Sequence, residues 1–208
     1  MSAAEWVPQD GDVAELRTAA HDCHGCELWE EATQTVFGAG NPDATILLVG
    51  EQPGDVEDQR GLPFVGPAGK VLQKALDEAG AERSMLYVTN AVKHFRFTWR
   101  GKRRLHQTPD TSHVVACRPW LEAEIRRVDP QLVVVLGATA AKSLLGSGFR
   151  VTKERGVVFE RETPLGNKRF LATIHPSAIL RMDAELREQG YADFVADLRT
   201  AVSAVAAV

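Results

Sequence analysis

The sequence predicts a three-layer α/β/α fold around a central, mainly four-stranded parallel sheet. Three observations predict it. Four short apolar stretches rich in Val, Ile and Leu are spaced along the chain, a composition suited to strands covered on both faces. Patterns of helical period lie between them, and alternating strands and helices wind into a doubly wound sheet. The one long irregular polar segment is Phe95–Pro109, and a long loop in a compact domain is a candidate for function.

Taken in order, Asp12–Ala20 reads as a helix and Thr45–Val49 as the first strand. Pro67–Ala79 follows as a helix, with Pro in the first turn and Gly80 just past the end. The second strand is Leu86–Thr89. Ser112–Val128 is a helix that stops short of Pro130, and Leu132–Leu136 is the third strand. Ala138–Leu145 is a short helix. Val157–Thr173 reads as a hairpin turning around Pro164–Asn167, and Phe170–Ile174 is the fourth strand. Ala184–Val205 holds one or two terminal helices. The chain has no repeat, linker or low-complexity stretch, and 208 residues suit a single domain spanning 1–208.

No apolar run is long enough to cross a bilayer, and the first residues lack a basic region followed by an apolar stretch. The expectation is a cytoplasmic monomer with no membrane partner. The three cysteines, Cys23, Cys26 and Cys117, are an odd number, which argues against a disulfide framework. A formal net charge of -4 argues against a broadly basic nucleic-acid-binding surface. The charge is uneven, however. Lys93, Arg96, Arg100, Lys102, Arg103 and Arg104 fall together without an acidic residue among them, and Phe95, Phe97 and Trp99 are interleaved. Such a loop can meet phosphates and stack on bases; read alone, it is more often a solvated charged loop.

In sheets of this class, ligands bind beyond the C-terminal strand ends. Gly50-Glu51-Gln52-Pro53-Gly54-Asp55 follows the first strand, Asn90 the second, Gly137-Ala138-Thr139 the third and His175-Pro176-Ser177 the fourth. A carboxylate, an amide and an imidazole thus share one rim. No phosphate loop of the Gly-x-x-x-x-Gly-Lys-Ser/Thr or Gly-x-Gly-x-x-Gly type occurs, which disfavours a nucleotide-binding protein.

Gly50-Glu51-Gln52-Pro53-Gly54, Gly61-Leu62-Pro63-Phe64-Val65-Gly66-Pro67-Ala68-Gly69, Thr89-Asn90 and His175-Pro176-Ser177 together resemble, in order and spacing, the iron–sulfur (family 4) uracil-DNA glycosylases. The resemblance runs from Cys23 to the final helices. It implies uracil-containing DNA as partner, single-stranded DNA included, and free uracil as product. It makes His175 the donor to the uracil O2, Asn90 the reader of the O4/N3 edge and Phe64 the ring on which the base stacks, with Gln52 and Asp55 lining the same loop. Glu51 falls near the sugar. Each residue also has a plain reading: Phe64 as core, Asn90 as a turn residue, His175 as a strand-end cap.

The resemblance further implies a [4Fe–4S] cluster. Family members hold it with four cysteines; here His94 stands where the third is expected, so the implied ligands are Cys23, Cys26, His94 and Cys117, with His21 and His24 as competitors. Three cysteines and a histidine equally suit structural zinc. The stretch Gly101-Lys102-Arg103-Arg104-Leu105-His106-Gln107 is an insertion on the ordinary family pattern. It is similar to the Lys-Arg-Arg-Ile-His loop of a DNA-crosslinking branch of the superfamily. That likeness implies that His106 captures the sugar cation before water does, that Glu51 orients His106 or takes its proton, that Arg104 holds the loop closed, and that Lys102, Arg103 and Ser177 meet DNA. A glycosylase that turns over, and a non-catalytic binder of damaged DNA, are the alternatives.

Overall fold

The computed structural model describes residues 1–206; the last two positions of the expected 1–208 domain lie outside the described residues. Among the described residues the strands are β1 (Ala39–Gly40), β2 (Ile46–Gly50), β3 (Leu86–Asn90), β4 (Phe97–Arg100), β5 (Arg103–His106), β6 (Leu132–Leu136), β7 (Val158–Thr163) and β8 (Gly166–Thr173). The α-helices among the same residues are α1 (Val13–Ala20), α2 (Asp55–Arg60), α3 (Pro67–Ala79), α4 (Thr111–Val128), α5 (Gly137–Leu145), α6 (Val151–Glu154), α7 (Pro176–Arg181) and α8 (Ala184–Ala206).

Six strands form the main sheet in the order β1-β3-β2-β6-β8-β7. The pairs β3–β2, β2–β6 and β6–β8 are parallel, which gives the four expected central strands. The antiparallel edges β1 and β7 extend the expected four to six. The chain passes from β2 to β3 on one side and later to β6 on the other, so the strand order reverses between β2 and β6. That crevice is where a doubly wound sheet opens a ligand site.

Side-chain alternation explains the continuous apolar runs. Leu47 and Val49 of β2, with Val133 and Val135 of β6, join a core containing Leu16, Leu121 and Trp120 from α1 and α4. Ile46, Leu48, Leu132, Val134 and Leu136 point the other way, into a core with Leu72 and Leu76 of α3 and Phe194 and Leu198 of α8. Both faces of the strand are dry, so neither face carries a polar residue.

Local signals set the helix ends. Asp12 Oδ1 accepts from Glu15 N at 2.9 Å and Glu15 Oε2 from Asp12 N at 2.8 Å, a reciprocal cap. Pro67 opens α3, and Gly80 closes it at φ 81°. The terminal segment is one continuous helix.

The segment Phe95–Pro109 is not irregular. It carries a separate two-stranded antiparallel hairpin, with Phe97 opposite His106, Trp99 opposite Arg104 and Arg100 opposite Arg103. Gly101, at φ 62°, takes the first position of a two-residue turn, where a left-handed backbone matches strand twist. The Gly-Lys dipeptide after the alternating Phe97-Thr98-Trp99-Arg100 run was the signal for it.

One buried charge network crosses the fold. Glu124 of α4 is fully buried and pairs with buried Lys93. The same carboxylate accepts from Tyr87 OH at 3.0 Å, from Thr89 Oγ1 at 2.9 Å and from Gly38 N at 3.0 Å. Lys93 Nζ also donates to the Asn90 carbonyl at 2.7 Å. Removing one partner of a buried pair strands the other charge. Lys93→Met should therefore destabilise the protein by ~3–5 kcal/mol in urea unfolding, and the double variant Lys93→Met/Glu124→Gln should recover part of that loss. Equal losses in the single and double variants would show that the two groups are not coupled.

Candidate active site

The strand ends deliver the expected residues to one cavity of about 860 Å³. Glu51 follows β2, Asn90 ends β3, Thr139 follows β6 and His175 follows β8; Phe64 and His106 complete the lining. A second cleft of about 710 Å³, near Arg17 and Arg127, lies away from these strand ends.

Phe64 sits in the left-handed region at φ 56°. Such a conformation is costly for an aromatic residue and is kept only where surroundings enforce it. Glu57 supplies part of that enforcement: its carboxylate accepts from Gly66 N at 2.7 Å and from Gly54 N at 3.2 Å, closing the loop that carries Phe64. A Cβ at Gly50 would run into Asn90 Oδ1 and the Phe64 ring, so glycine there lets the amide and the ring approach each other. The Phe64 and His175 rings lie 6.2 Å apart at 32°.

The tautomer of His175 follows from its partners. Ser177 N donates to His175 Nδ1 at 3.2 Å, and the Ser177 hydroxyl lies 2.8 Å from the same atom. Nδ1 is thus an acceptor and the proton sits on Nε2. Burial pushes the ring down to about 4, against the pull of nearby Glu51. At neutral pH His175 is an uncharged hydrogen-bond donor.

Glu51 is half-buried and has a partner on each oxygen. Its Oε1 lies 3.2 Å from His106 Nε2, and Thr139 Oγ1 donates to its Oε2. Burial pushes the carboxyl up, but the hydrogen bonds from His106 and Thr139 outweigh it and hold the group below the usual carboxylate range. Glu51 stays ionised at neutral pH.

The hairpin is fixed at its base and its middle. Gln52 accepts from Arg96 N at 3.0 Å and donates to the carbonyls of Arg96 and Gln107 at 3.2 and 2.9 Å, joining its two ends. Arg104 donates from Nε to Asp55 Oδ1 and from Nη1 to Asp58 Oδ2, each at 2.6 Å. Its guanidinium lies over Phe97 and Phe95, 5.0 and 5.5 Å from their centroids. Burial opposes the charge, but Asp58 and Asp55 overcome it and raise the guanidinium above its ordinary range. His106 is thereby held over Glu51.

The Uracil DNA glycosylase superfamily model matches residues 37–199. The chain belongs to that superfamily. It is 38% identical over 160 residues to the type-4 uracil-DNA glycosylase of Thermotoga maritima, covering 76% of this chain and 78% of the relative. The type-4 uracil-DNA glycosylase of Sulfurisphaera tokodaii is 36% identical over 173 residues, covering 81% and 76%. That of Archaeoglobus fulgidus is 35% identical over 176 residues, covering 83% and 84%. The cavity at the β2–β6 reversal is thus the candidate active site of a glycosylase-superfamily fold.

The three cysteines exclude a four-cysteine metal centre. Cys23, Cys26 and Cys117 are free thiols, all buried, and they share one region: Cys23 and Cys26 both act on Cys117 electrostatically. Trp120 Nε1 donates to Cys23 Sγ at 3.1 Å, and Lys93 N donates to Cys117 Sγ at 3.3 Å. Burial pushes the Cys117 thiol up to about 12, with the Lys93 ammonium pulling the other way. His94 is buried beside Lys93; its Nε2 lies 2.9 Å from Thr35 Oγ1. Among the described residues no three His, Cys, Asp or Glu side chains converge as ligands of a single metal ion would. His24 is instead stacked on Trp29, 3.8 Å between centroids, and His21 is exposed.

The structure gathers Glu51, Gln52, Asp55, Phe64, Asn90, His106, His175 and Ser177 around one cavity. Arg104 reaches it only through Asp55, and Lys102 and Arg103 stand at the exposed hairpin turn. The Asp55 carboxylate is taken by Arg104 and Gln59, and the Gln52 amide by the hairpin backbone. Both side chains therefore shape the loop. Sequence reasoning did not foresee the roles of Thr139, Asp58 and Glu57. Thr139 was marked by its place after a strand; Asp58 and Glu57 gave no signal, because a buried acid in a charged helix looks like any exposed one.

The lowered pKa of His175 has a consequence for stability. Between about 6.5 and about 4 the unfolded chain takes up a proton on this ring and the folded chain does not. The contribution is therefore full above about 6.5 and is lost as pH falls toward about 4, at up to ~1.4 kcal/mol per pH unit. Urea unfolding of the wild type and His175→Asn at several pH values should show the acid-side slope to be shallower in the variant. An unchanged slope would mean that the ring titrates normally in the fold.

Proposed function

We propose that the protein excises uracil from DNA and then bonds His106 to C1′ of the abasic sugar, as in the DNA-crosslinking UdgX branch of the superfamily. The observation that carries the reading is the 3.2 Å contact of His106 Nε2 with Glu51 Oε1 inside the cavity that also holds Phe64, Asn90 and His175.

Uracil stacks on Phe64 and presents its O4/N3 edge to Asn90, as recognition of a flipped base requires. As the N1–C1′ bond breaks, its electron pair leaves on uracil and a cation remains at C1′. The Nε2–H of His175 meets the negative charge growing on O2. A neutral donor suits this task, because it stabilises the anion without first forming an ion pair with Glu51. The Glu51 carboxylate favours the cation.

Capture decides the outcome. His106 stands against Glu51 Oε1 and Thr139 against Oε2, so the imidazole already occupies the place beside the carboxylate that an attacking water would take. The unprotonated ring nitrogen of His106 gives its lone pair to C1′, and the proton on the other nitrogen passes to Glu51 and on to the uracil anion. Proximity favours the held imidazole over solvent. The product is an N-alkyl imidazole with no good leaving group, so turnover stops.

Cys23, Cys26 and Cys117, with His94 through its free Nδ1, would hold a [4Fe–4S] cluster. The N–H groups of Trp120 and Lys93 aimed at two sulfurs fit thiolate ligation, since such bonds tune cluster sulfurs. The cluster would fasten the N-terminal segment to α4; no step of excision is assigned to it. The reading makes the chain one glycosylase domain that acts as a monomer on uracil-containing DNA, with single strands accepted. Among the described residues no helix is long and apolar enough to cross a membrane.

Incubation with a labelled oligonucleotide carrying one deoxyuridine should give a band, resistant to heat and detergent, shifted by the mass of the protein. His106→Ser should abolish that band and leave alkali-cleavable abasic DNA, because it frees Glu51 Oε1 for water. An adduct that persists in His106→Ser would rule out this histidine; free uracil without adduct in the wild type would select a glycosylase that turns over. For the cluster, Cys117→Ser should lose bound iron and acid-labile sulfide together. Retention of both would remove Cys117 from the ligand set.

A further inference from the structure

Of the three aromatic rings in the basic segment, Phe95 and Phe97 are buried while Trp99 is 62% exposed. The register explains where Trp99 points. Directly opposed residues of an antiparallel pair share a face, so Trp99 and its partner Arg104 lie on the same face as Phe97 and His106. The Phe97 ring meets the indole edge-on at 5.5 Å and props it, leaving the rest of the ring open. Gln52 and Arg104 anchor the hairpin below it. The indole is therefore presented by a fixed element.

The six clustered cations divide in the structure. Lys93 is buried with Glu124, Arg96 pairs with Asp110 at 2.6 Å, and Arg104 pairs with Asp55 and Asp58. Arg100, Lys102 and Arg103 remain exposed and form no ion pair among the described residues. They cluster at the hairpin tip next to Trp99, Lys102 in the turn and the opposed Arg100 and Arg103 on the other face of the ribbon. An exposed ring among unpaired cations is complementary to a strand with a π-face and a phosphate at every nucleotide. Trp99 is two residues from the register position of His106, roughly 7 Å along the strand, which is about two stacked-base spacings.

We propose that Trp99 is the stacking platform for an unpaired base flanking the target nucleotide, with Arg100, Lys102 and Arg103 on the neighbouring phosphates. The site takes single-stranded DNA, because a base paired and stacked in a duplex has no free face to offer. The inference rests on the cavity being the uracil site but not on His106 forming a bond.

The test uses the full chain and short single strands carrying 2′-fluoro-2′-deoxyuridine, which keeps its base. In a series of strands, a tetrahydrofuran spacer replaces each of three nucleotides on either side, one at a time. Fluorescence anisotropy is read for the wild type, Trp99→Ala and Trp99→Phe. Trp99→Ala should weaken binding of the intact strand roughly five- to 100-fold, and Trp99→Phe much less. One spacer position should weaken the wild type similarly and leave Trp99→Ala binding that strand as well as the wild type does. An equal Trp99→Ala penalty on every strand, no penalty at all, or no binding of the intact strand by the wild type overturns the proposal. The adduct assay on ordinary deoxyuridine strands separates the two ideas: absence of adduct with the spacer coupling intact removes the crosslinking reading alone, and adduct without coupling removes the stacking platform alone.

Discussion

The buried carboxylate of Glu124 holds the site side of the molecule together. A lone anion in that position would be prohibitively desolvated, so it is tolerable only because Lys93, Tyr87, Thr89 and Gly38 all donate to it. The arrangement in turn dictates neighbouring residues. A Cβ at Gly38 would collide with Glu124 and the Tyr87 hydroxyl, so the backbone must be bare where its N–H approaches. Burial and Glu124 drive the Tyr87 hydroxyl far above its ordinary range, which keeps it a donor. Lys93 carries the network to the Asn90 carbonyl through Nζ and to Cys117 through its backbone N–H. The residue proposed to read the base and a residue proposed to hold the cluster therefore share one ion pair as foundation.

The reactive side is organised on a different principle. The β2–β6 reversal opens the sheet, and Glu51 and Thr139 bridge the gap across it by a hydrogen bond. The walls around this bridge have complementary electrostatics. His175 is held neutral by burial, Glu51 is held ionised by its donors, and the Arg104 charge is spent on Asp58 and on Asp55 at the cavity wall. Arg181 also lines the cavity, while the ionised Glu51 is the group placed to favour a developing positive charge at the sugar. On the reading proposed for His106, the contact that helps to hold Glu51 ionised also keeps the imidazole beside the sugar.

Periodicity made the central sheet legible. Runs such as Leu132–Leu136 are buried on both faces and have no competing reading as loop, so their C-terminal ends were placed to within a residue, although β8 begins at Gly166 rather than Phe170. The rim residues followed from those ends. Edge strands were harder: β1 is two residues long and gives no pattern. The hairpin was missed because Arg103-Arg104-Leu105-His106 does not continue the alternation that Phe97 and Trp99 begin, and Trp99 is itself exposed. The segment's cations were legible as a cluster but not as individuals. Which of them is buried, clamped or free depends on Glu124, Asp110, Asp55 and Asp58, and those partners lie 14 to 49 residues away in sequence.

The β4–β5 hairpin shares no strand pairing with the main sheet. It touches the remainder of the fold through side chains: an amide at its base, a guanidinium at its middle and two buried rings beneath. Such an appendage can be gained or lost without re-registering a single core strand. On the reading proposed for His106, a catalyst becomes a permanent label for its own substrate by acquiring one removable module. The evolutionary distance between repairing a lesion and marking it would then be the length of a surface ribbon.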